Sequence, residues 1–251
     1  MLTKYGLPQV IIYPALVLAL MAALFVFLPV ASTSSATIES APEVAELVEA
    51  PEASETPGSI FALVAAEAVL FVVFVWMLMF FRNPQRKIPL DERVLLSPAD
   101  GTVTDISETE NLDLGGKALR IGMFLSIFNV HLNRMPCSVR VESICYKKGK
   151  FKNAMAAESG RINESNEVLL ARLAEPKDRL LVRQVSGAIA RRIVCKAEPG
   201  QEFAQGAAFG MIKFGSRTEL YLPLKDGGYD IMVKEGDRVC AGLSPLIVYK
   251  P

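Results

Sequence analysis

The chain has 251 residues, 51% of them hydrophobic, with 27 basic and 27 acidic side chains and a single histidine. A mean hydropathy of +0.31 excludes a wholly disordered chain and directs attention to membrane segments. The charge is uneven. Residues 31–59 carry six Glu and no Lys or Arg, whereas residues 82–251 hold 26 basic and 20 acidic groups. That excess is too weak and scattered for a nucleic-acid platform, but it suits work beside an anionic lipid surface.

Leu7–Ala31 contains no charged residue and Ile60–Phe81 contains only Glu67. Each exceeds the roughly 20 residues that cross a bilayer as a helix. A signal peptide has an apolar run of only about 7–15 residues, so the first stretch is read as a retained anchor, with Pro8 and Pro14 near its start. Trp76, Phe80 and Phe81 close the second stretch, where an interfacial aromatic belt belongs. The expected division is a first transmembrane helix with its flank over 1–31, a disordered acidic loop over 32–59, a second transmembrane helix over 60–81, and a cytoplasmic domain over 82–251, where any chemistry is to be sought. Lys4 precedes the first span, and Arg82, Arg86, Lys87 and Arg93 follow the second. Both chain ends are therefore expected in the cytoplasm of a cell whose inner (plasma) membrane holds the protein. Glu67 is read as a protonated or snorkelling carboxyl near the outer interface, with an intramembrane functional role as the alternative.

From Asp91 onward short Val-, Ile- and Leu-rich runs alternate with turn signals, among them Asp100-Gly101, Gly115-Gly116, Pro199-Gly200 and Glu235-Gly236-Asp237. The predicted class is β-rich α+β, a compact barrel- or sandwich-like domain. Asn166–Cys195 reads as two strands around Glu175-Pro-Lys-Asp178, and Phe151–Ser165 as a loop or short helix. Ser97–Ile106 and Val233–Gly242 share a cadence resembling the turns of biotinyl/lipoyl hammerhead barrels. Cys137, Cys145, Cys195 and Cys240 have no CxxC spacing, and with one histidine in the chain no metal site is expected. They read as small buried hydrophobes in a reducing compartment, a structural disulfide being the alternative.

The chemistry concentrates in Phe209-Gly-Met-Ile-Lys-Phe-Gly-Ser-Arg-Thr-Glu-Leu-Tyr-Leu-Pro223. A Gly-Ser pair between apolar runs is, on pattern alone, an ordinary β-turn. In a strained turn it has a second use. The Gly215 carbonyl is open to the Ser216 hydroxyl; an N-to-O acyl shift and β-elimination leave dehydroalanine, which tautomerises and hydrolyses to a pyruvoyl group on residue 216. The stretch resembles the cleavage-site motif of phosphatidylserine decarboxylase proenzymes of the short bacterial and archaeal type. Phe80-Phe-Arg-Asn-Pro-Gln-Arg-Lys-Ile-Pro89, Ser97-Pro-Ala-Asp-Gly101, Asn129-Val-His-Leu-Asn-Arg-Met-Pro136, and Asn166-Glu167 with Gln184–Ile193 agree with that family, in its order.

The resemblance implies a pyruvoyl-dependent decarboxylase that cuts itself between Gly215 and Ser216, giving a heterodimer of chains 1–215 and 216–251 that further oligomerisation could extend. A Schiff base between the pyruvoyl ketone and the serine amine of phosphatidylserine would supply the electron sink for loss of CO₂, and phosphatidylethanolamine would leave. His131 is expected to donate a proton to the substrate carbon; a lone histidine otherwise reads as structural. Asp100 matches the self-cleavage aspartate, or is a turn residue ahead of Gly101. Arg134 stands where the longer branch has a second histidine, so a complete Asp-His-Ser triad is not carried over. Either His131 serves both steps, or Asp100 and backbone donors suffice. Arg134 is a candidate for binding the substrate carboxylate or phosphate. The basic run Lys147-Lys-Gly-Lys-Phe-Lys152 reads as a solvated loop, with contact to anionic headgroups as the alternative. The rival activities are decarboxylation of archaetidylserine or another lipid headgroup, a membrane-anchored biotinyl/lipoyl-like carrier modified at Lys213, and a noncatalytic structural membrane protein.

Overall fold

A computed structural model describes residues 2–6, 9–27, 57–152, 162–187, 192–213 and 215–250. The chain divides into two units, Pro8–Leu78 and the remainder. The first holds helix α1, Gln9–Phe27, and the start of helix α2, Pro57–Phe80. Both are apolar around their whole circumference, as helices surrounded by lipid are. Phe61, Val69 and Val72 of α2 are each more than 60% exposed, which water would penalise. Among the described residues Phe61–Phe80 is the one stretch long and apolar enough to cross a membrane; α1 contributes a shorter apolar stretch, Ile11–Leu24. Helix α2 starts three residues before the expected boundary, because Pro57 suits a first helical position. The acidic loop lies outside the described residues apart from this overlap.

The second unit is β-rich and its strand pairs are antiparallel. An eight-stranded sheet runs, in spatial order, β13 (Arg238–Val239), β2 (Gly101–Asn111), β3 (Gly116–Leu125), β11 (Ser216–Pro223), β7 (Arg179–Val185), β6 (Ser165–Arg172), β5 (Val139–Lys147) and β9 (Glu202–Phe203). A three-stranded sheet is made by β1 (Val94–Leu96), β14 (Pro245–Tyr249) and β12 (Tyr229–Ile231), and another by β4 (Leu132–Arg134), β10 (Ala208–Ile212) and β8 (Ile193–Cys195). Alternation along each strand sends one set of residues inward. Val103, Ile121, Met123, Val141, Val168, Val182, Leu220 and Ile247 thereby meet in one core cluster.

Strand β11 is central: it pairs with β3 over eight residues and with β7 over five. The hairpin of β6 and β7 spans the expected Glu175–Asp178 turn, while β8 leaves it for a different sheet. The two segments of shared cadence meet: β13 pairs with β2 through Arg238↔Thr102, and Val103 N–H donates to the Asp237 carbonyl at 2.9 Å. Most of Phe151–Ser165 lies outside the described residues.

Two expectations need correction. Phe80 and Phe81 do not form an interfacial belt; both are 1% exposed and packed within the β-rich unit. Aromatic rings satisfy a lipid boundary and a protein core equally, so the pattern could not separate the two. The cysteines are free, as read, but only Cys137 is buried; Cys195 is half-buried, and Cys145 and Cys240 are exposed. Turn and edge positions hold the last two, where a small side chain has nothing to pack beneath.

Candidate active site

Ser216 is the first residue of β11 and is fully buried, and its Oγ has no hydrogen-bond partner among the described residues. Leaving such a hydroxyl unpaired costs about 1–3 kcal/mol, so the position is held against a penalty. Gly215 before it has φ +57°, the left-handed region that a side chain disfavours. A Cβ there would find only Ile127 Cγ2 at 4.0 Å, so the need for glycine is conformational rather than steric.

His131 comes from the segment leading into β4 and is fully buried. Its Nδ1 lies 2.9 Å from the Asn129 carbonyl, which assigns the ring proton to that nitrogen. Nε2 is thus an acceptor, and it receives the Gly215 N–H at 3.3 Å. The Phe80 ring lies over the imidazole, centroids 4.4 Å apart. Burial pushes the imidazole from 6.5 down to about 4; the Asn129 carbonyl opposes this, Arg82 adds to it, and Asp100 opposes it. The ring is neutral at pH 7.

Asp100 is 7% exposed but is not bonded to His131. Its carboxylate takes both arms of Arg86, at 2.6 and 2.8 Å, and the Ala241 N–H at 2.7 Å. Arg134 donates to the Gly206 carbonyl at 2.9 Å and to Asn83 Oδ1 at 2.9 Å, so protein oxygens already occupy it. Of the residues singled out from sequence, Gly215, Ser216 and His131 come together directly. Asp100 stands within electrostatic reach of His131, and Arg134 is committed to holding chain segments. Lys213 is 5% exposed, whereas a carrier lysine must swing freely in solvent. Lys148, Lys150 and Lys152 are exposed, and Lys147 pairs with Glu167 at 2.9 Å.

Two buried networks fix β11. On one face Thr218 Oγ1 receives Asn133 Nδ2 at 3.0 Å, Asn133 Oδ1 receives Gln184 Nε2 at 2.8 Å, and Gln184 Oε1 receives Asn166 Nδ2 at 3.1 Å. On the other, fully buried Arg217 bonds Glu219 at 2.7 Å, Thr104 at 2.7 Å and Asp105. It passes over Gly122, where a Cβ would fall 1.9 Å from its guanidinium. Sequence reasoning missed Arg86, Phe80, Asn133, Gln184 and Arg217 as parts of the site. All five lie inside the stretches that carried the resemblance, which was the available signal. A cavity of about 500 Å³ adjoins the site; Asp100, Asn129, Thr102 and Arg238 are in its lining.

Comparison with known proteins agrees with this arrangement. The profile of the family described as phosphatidylserine decarboxylase matches residues 73–246. The chain is 44% identical over 177 residues to the phosphatidylserine decarboxylase proenzyme of Carboxydothermus hydrogenoformans, covering 70% of this chain and 81% of that protein. The proenzyme of the same name from Rhodopirellula baltica is 43% identical over 191 residues, 76% of this chain and 75% of its own length. That of Pelobacter propionicus is 41% identical over 175 residues, 70% and 77% of the two chains. The family match spans both networks, the histidine and the Gly-Ser junction, and the chain belongs to the phosphatidylserine decarboxylase family.

Proposed function

We propose that the chain is a proenzyme that cuts its backbone between Gly215 and Ser216 and, as the pair 1–215 and 216–251, decarboxylates phosphatidylserine to phosphatidylethanolamine. The observation that carries this is a buried Ser216 hydroxyl, without a partner among the described residues, following a left-handed glycine whose amide faces a neutral imidazole. Ser216 Oγ attacks the Gly215 carbonyl carbon, the peptide C–N bond breaks, and the hydroxyl proton passes to the nitrogen, which leaves as an amine. β-Elimination then breaks the Cβ–Oγ bond and leaves Gly215 as a carboxylate. With the Cα proton lost in that elimination, residue 216 is dehydroalanine; it tautomerises to an imine, to which one water adds as ammonia leaves, giving the pyruvoyl group. A buried hydroxyl with no competing partner among the described residues fits that fate.

The ketone so formed supplies the electron sink that an α-amino acid needs to lose CO₂. This chain's residues do the rest. His131 holds a lone pair at Nε2 beside residue 215, placed to take and return one proton. The Asn129 carbonyl fixes its tautomer, and Phe80 keeps water from the ring. Arg86 pairs with the Asp100 carboxylate through both arms, at 2.6 and 2.8 Å, and fixes its position beside the site.

The anchor reading joins here. Thr3 N–H donates to the Phe81 carbonyl at 2.9 Å, and Tyr5 Oη donates to the Ala208 carbonyl at 2.6 Å. The residues flanking the helical segment are bound to one another, which two crossings of a bilayer satisfy and one does not. Both ends then lie on the cytoplasmic side, a reading that the positive flank supports, and the pairing of β2 with β13 supports a hammerhead-like arrangement of those turns.

Ser216→Ala tests the proposal. The variant is expected to remain one uncut chain and to release no CO₂ from phosphatidylserine, read by mass spectrometry and a CO₂ assay. An uncut variant with normal decarboxylase activity would overturn it.

A further inference from the structure

The machinery above serves the amine end of the substrate and leaves its phosphodiester without a partner. In a serine headgroup only two carbons and an oxygen separate the amine nitrogen from phosphorus, so the phosphate must lodge close to residue 216. The 500 Å³ cavity touches the site at Asp100 and at Asn129, whose carbonyl holds His131. Arg238, Thr102 and Phe124 stand directly opposite one another across β13, β2 and β3, and all three line it.

The cavity's charge is one-sided. Asp100 is balanced by Arg86, whereas Arg238 is exposed and has no carboxylate within ion-pair distance among the described residues. Thr102 adds a half-buried hydroxyl beside it. Phe128 also lines the cavity and is 66% exposed, a costly placement in water and a favourable one against glycerol and acyl chains. A guanidinium offers two parallel donors that match phosphate oxygens.

We infer that this cavity is the subsite for the phosphodiester of the lipid substrate, with Arg238 binding its oxygens, Thr102 as a second donor and Phe128 as the apolar edge. The inference rests on the decarboxylase reading and identifies the group that recognises the substrate's phosphate.

The test uses full-length, self-cleaved protein in detergent micelles with a short-chain phosphatidylserine. Arg238→Gln is expected to raise KM roughly tenfold while kcat changes less than about threefold, with fragment 216–251 formed in normal yield. Arg238→Lys should recover part of the loss, since it restores charge without the fork. Glycerophosphoserine should compete with the lipid more strongly than inorganic phosphate does. Equal competition by inorganic phosphate would make this a general anion site and overturn the proposal, as would an unchanged KM in normally cleaved Arg238→Gln protein. Wild-type protein that never cuts at 215–216 overturns the decarboxylase reading instead. In that uncut chain, equilibrium binding of glycerophosphoserine still reads the subsite, and a dissociation constant unmoved by Arg238→Gln refutes it.

Discussion

At the scale of single residues, a neutral imidazole and a hydroxyl with no partner among the described residues flank one peptide link, and the proposed chemistry uses both. His131 titrates far below its ordinary range because burial removes the water that would solvate its cation. The sign of the consequence follows from that direction. A folded pKa of about 4 against 6.5 unfolded means the native state resists a proton that the unfolded chain accepts. His131 therefore contributes stability that is complete above pH 6.5 and is lost as the pH falls toward 4. The same titration governs its use as an acceptor. The rate at which freshly synthesised precursor yields fragment 216–251 is expected to stay level from pH 8 to about pH 5.5 and to fall with a midpoint about 4. An acid limb centred near the ordinary histidine value would contradict the burial argument.

Strands carry the argument at the next scale, because β11 delivers Ser216 only if both of its faces are fixed. Arg217 is among the largest fully buried side chains of the described residues, and its charge is balanced by Asp105 and Glu219. Gly122→Ala would place a methyl 1.9 Å from that guanidinium and 2.7 Å from Asp105 Oδ1. Displacing a buried, paired charge costs about 3–5 kcal/mol. The melting midpoint of the solubilised protein is expected to fall by roughly 10 °C, with self-cleavage slowed in parallel. A wild-type midpoint and cleavage rate would show that the Arg217 network does not position the strand.

What the sequence made legible divides along the same line. Local pattern was enough for the β6–β7 hairpin and the two apolar helices, since each depends on neighbours in the chain, whereas the Gly-Ser pair read as an ordinary turn until the resemblance singled it out. Long-range pairs were silent: Arg86 with Asp100, Arg217 with Asp105 and Gln184 with Asn133 join residues that nothing in either local segment links. The resemblance supplied Asp100 and Arg134 as site residues, yet only coordinates revealed that each is held by other protein groups. Phe80 illustrates the remaining ambiguity, an apolar ring legible as buried but not as buried against His131.

Across the whole molecule, residues 216–251 supply β11, β12, β13 and β14 to two of the three sheets. A cut before β11 removes one covalent link but leaves that strand bonded to β3 and β7 along its length. The two pieces should therefore remain together as a folded unit and separate only when it unfolds. Intact-mass measurement of the purified, active protein under native and then denaturing conditions tests the central claim most directly. The account predicts one native particle that denaturation resolves into chains 1–215 and 216–251, the latter beginning with a ketone that carbonyl reagents label. Active protein that denatures to a single chain of 251 residues, inert to those reagents, would contradict it.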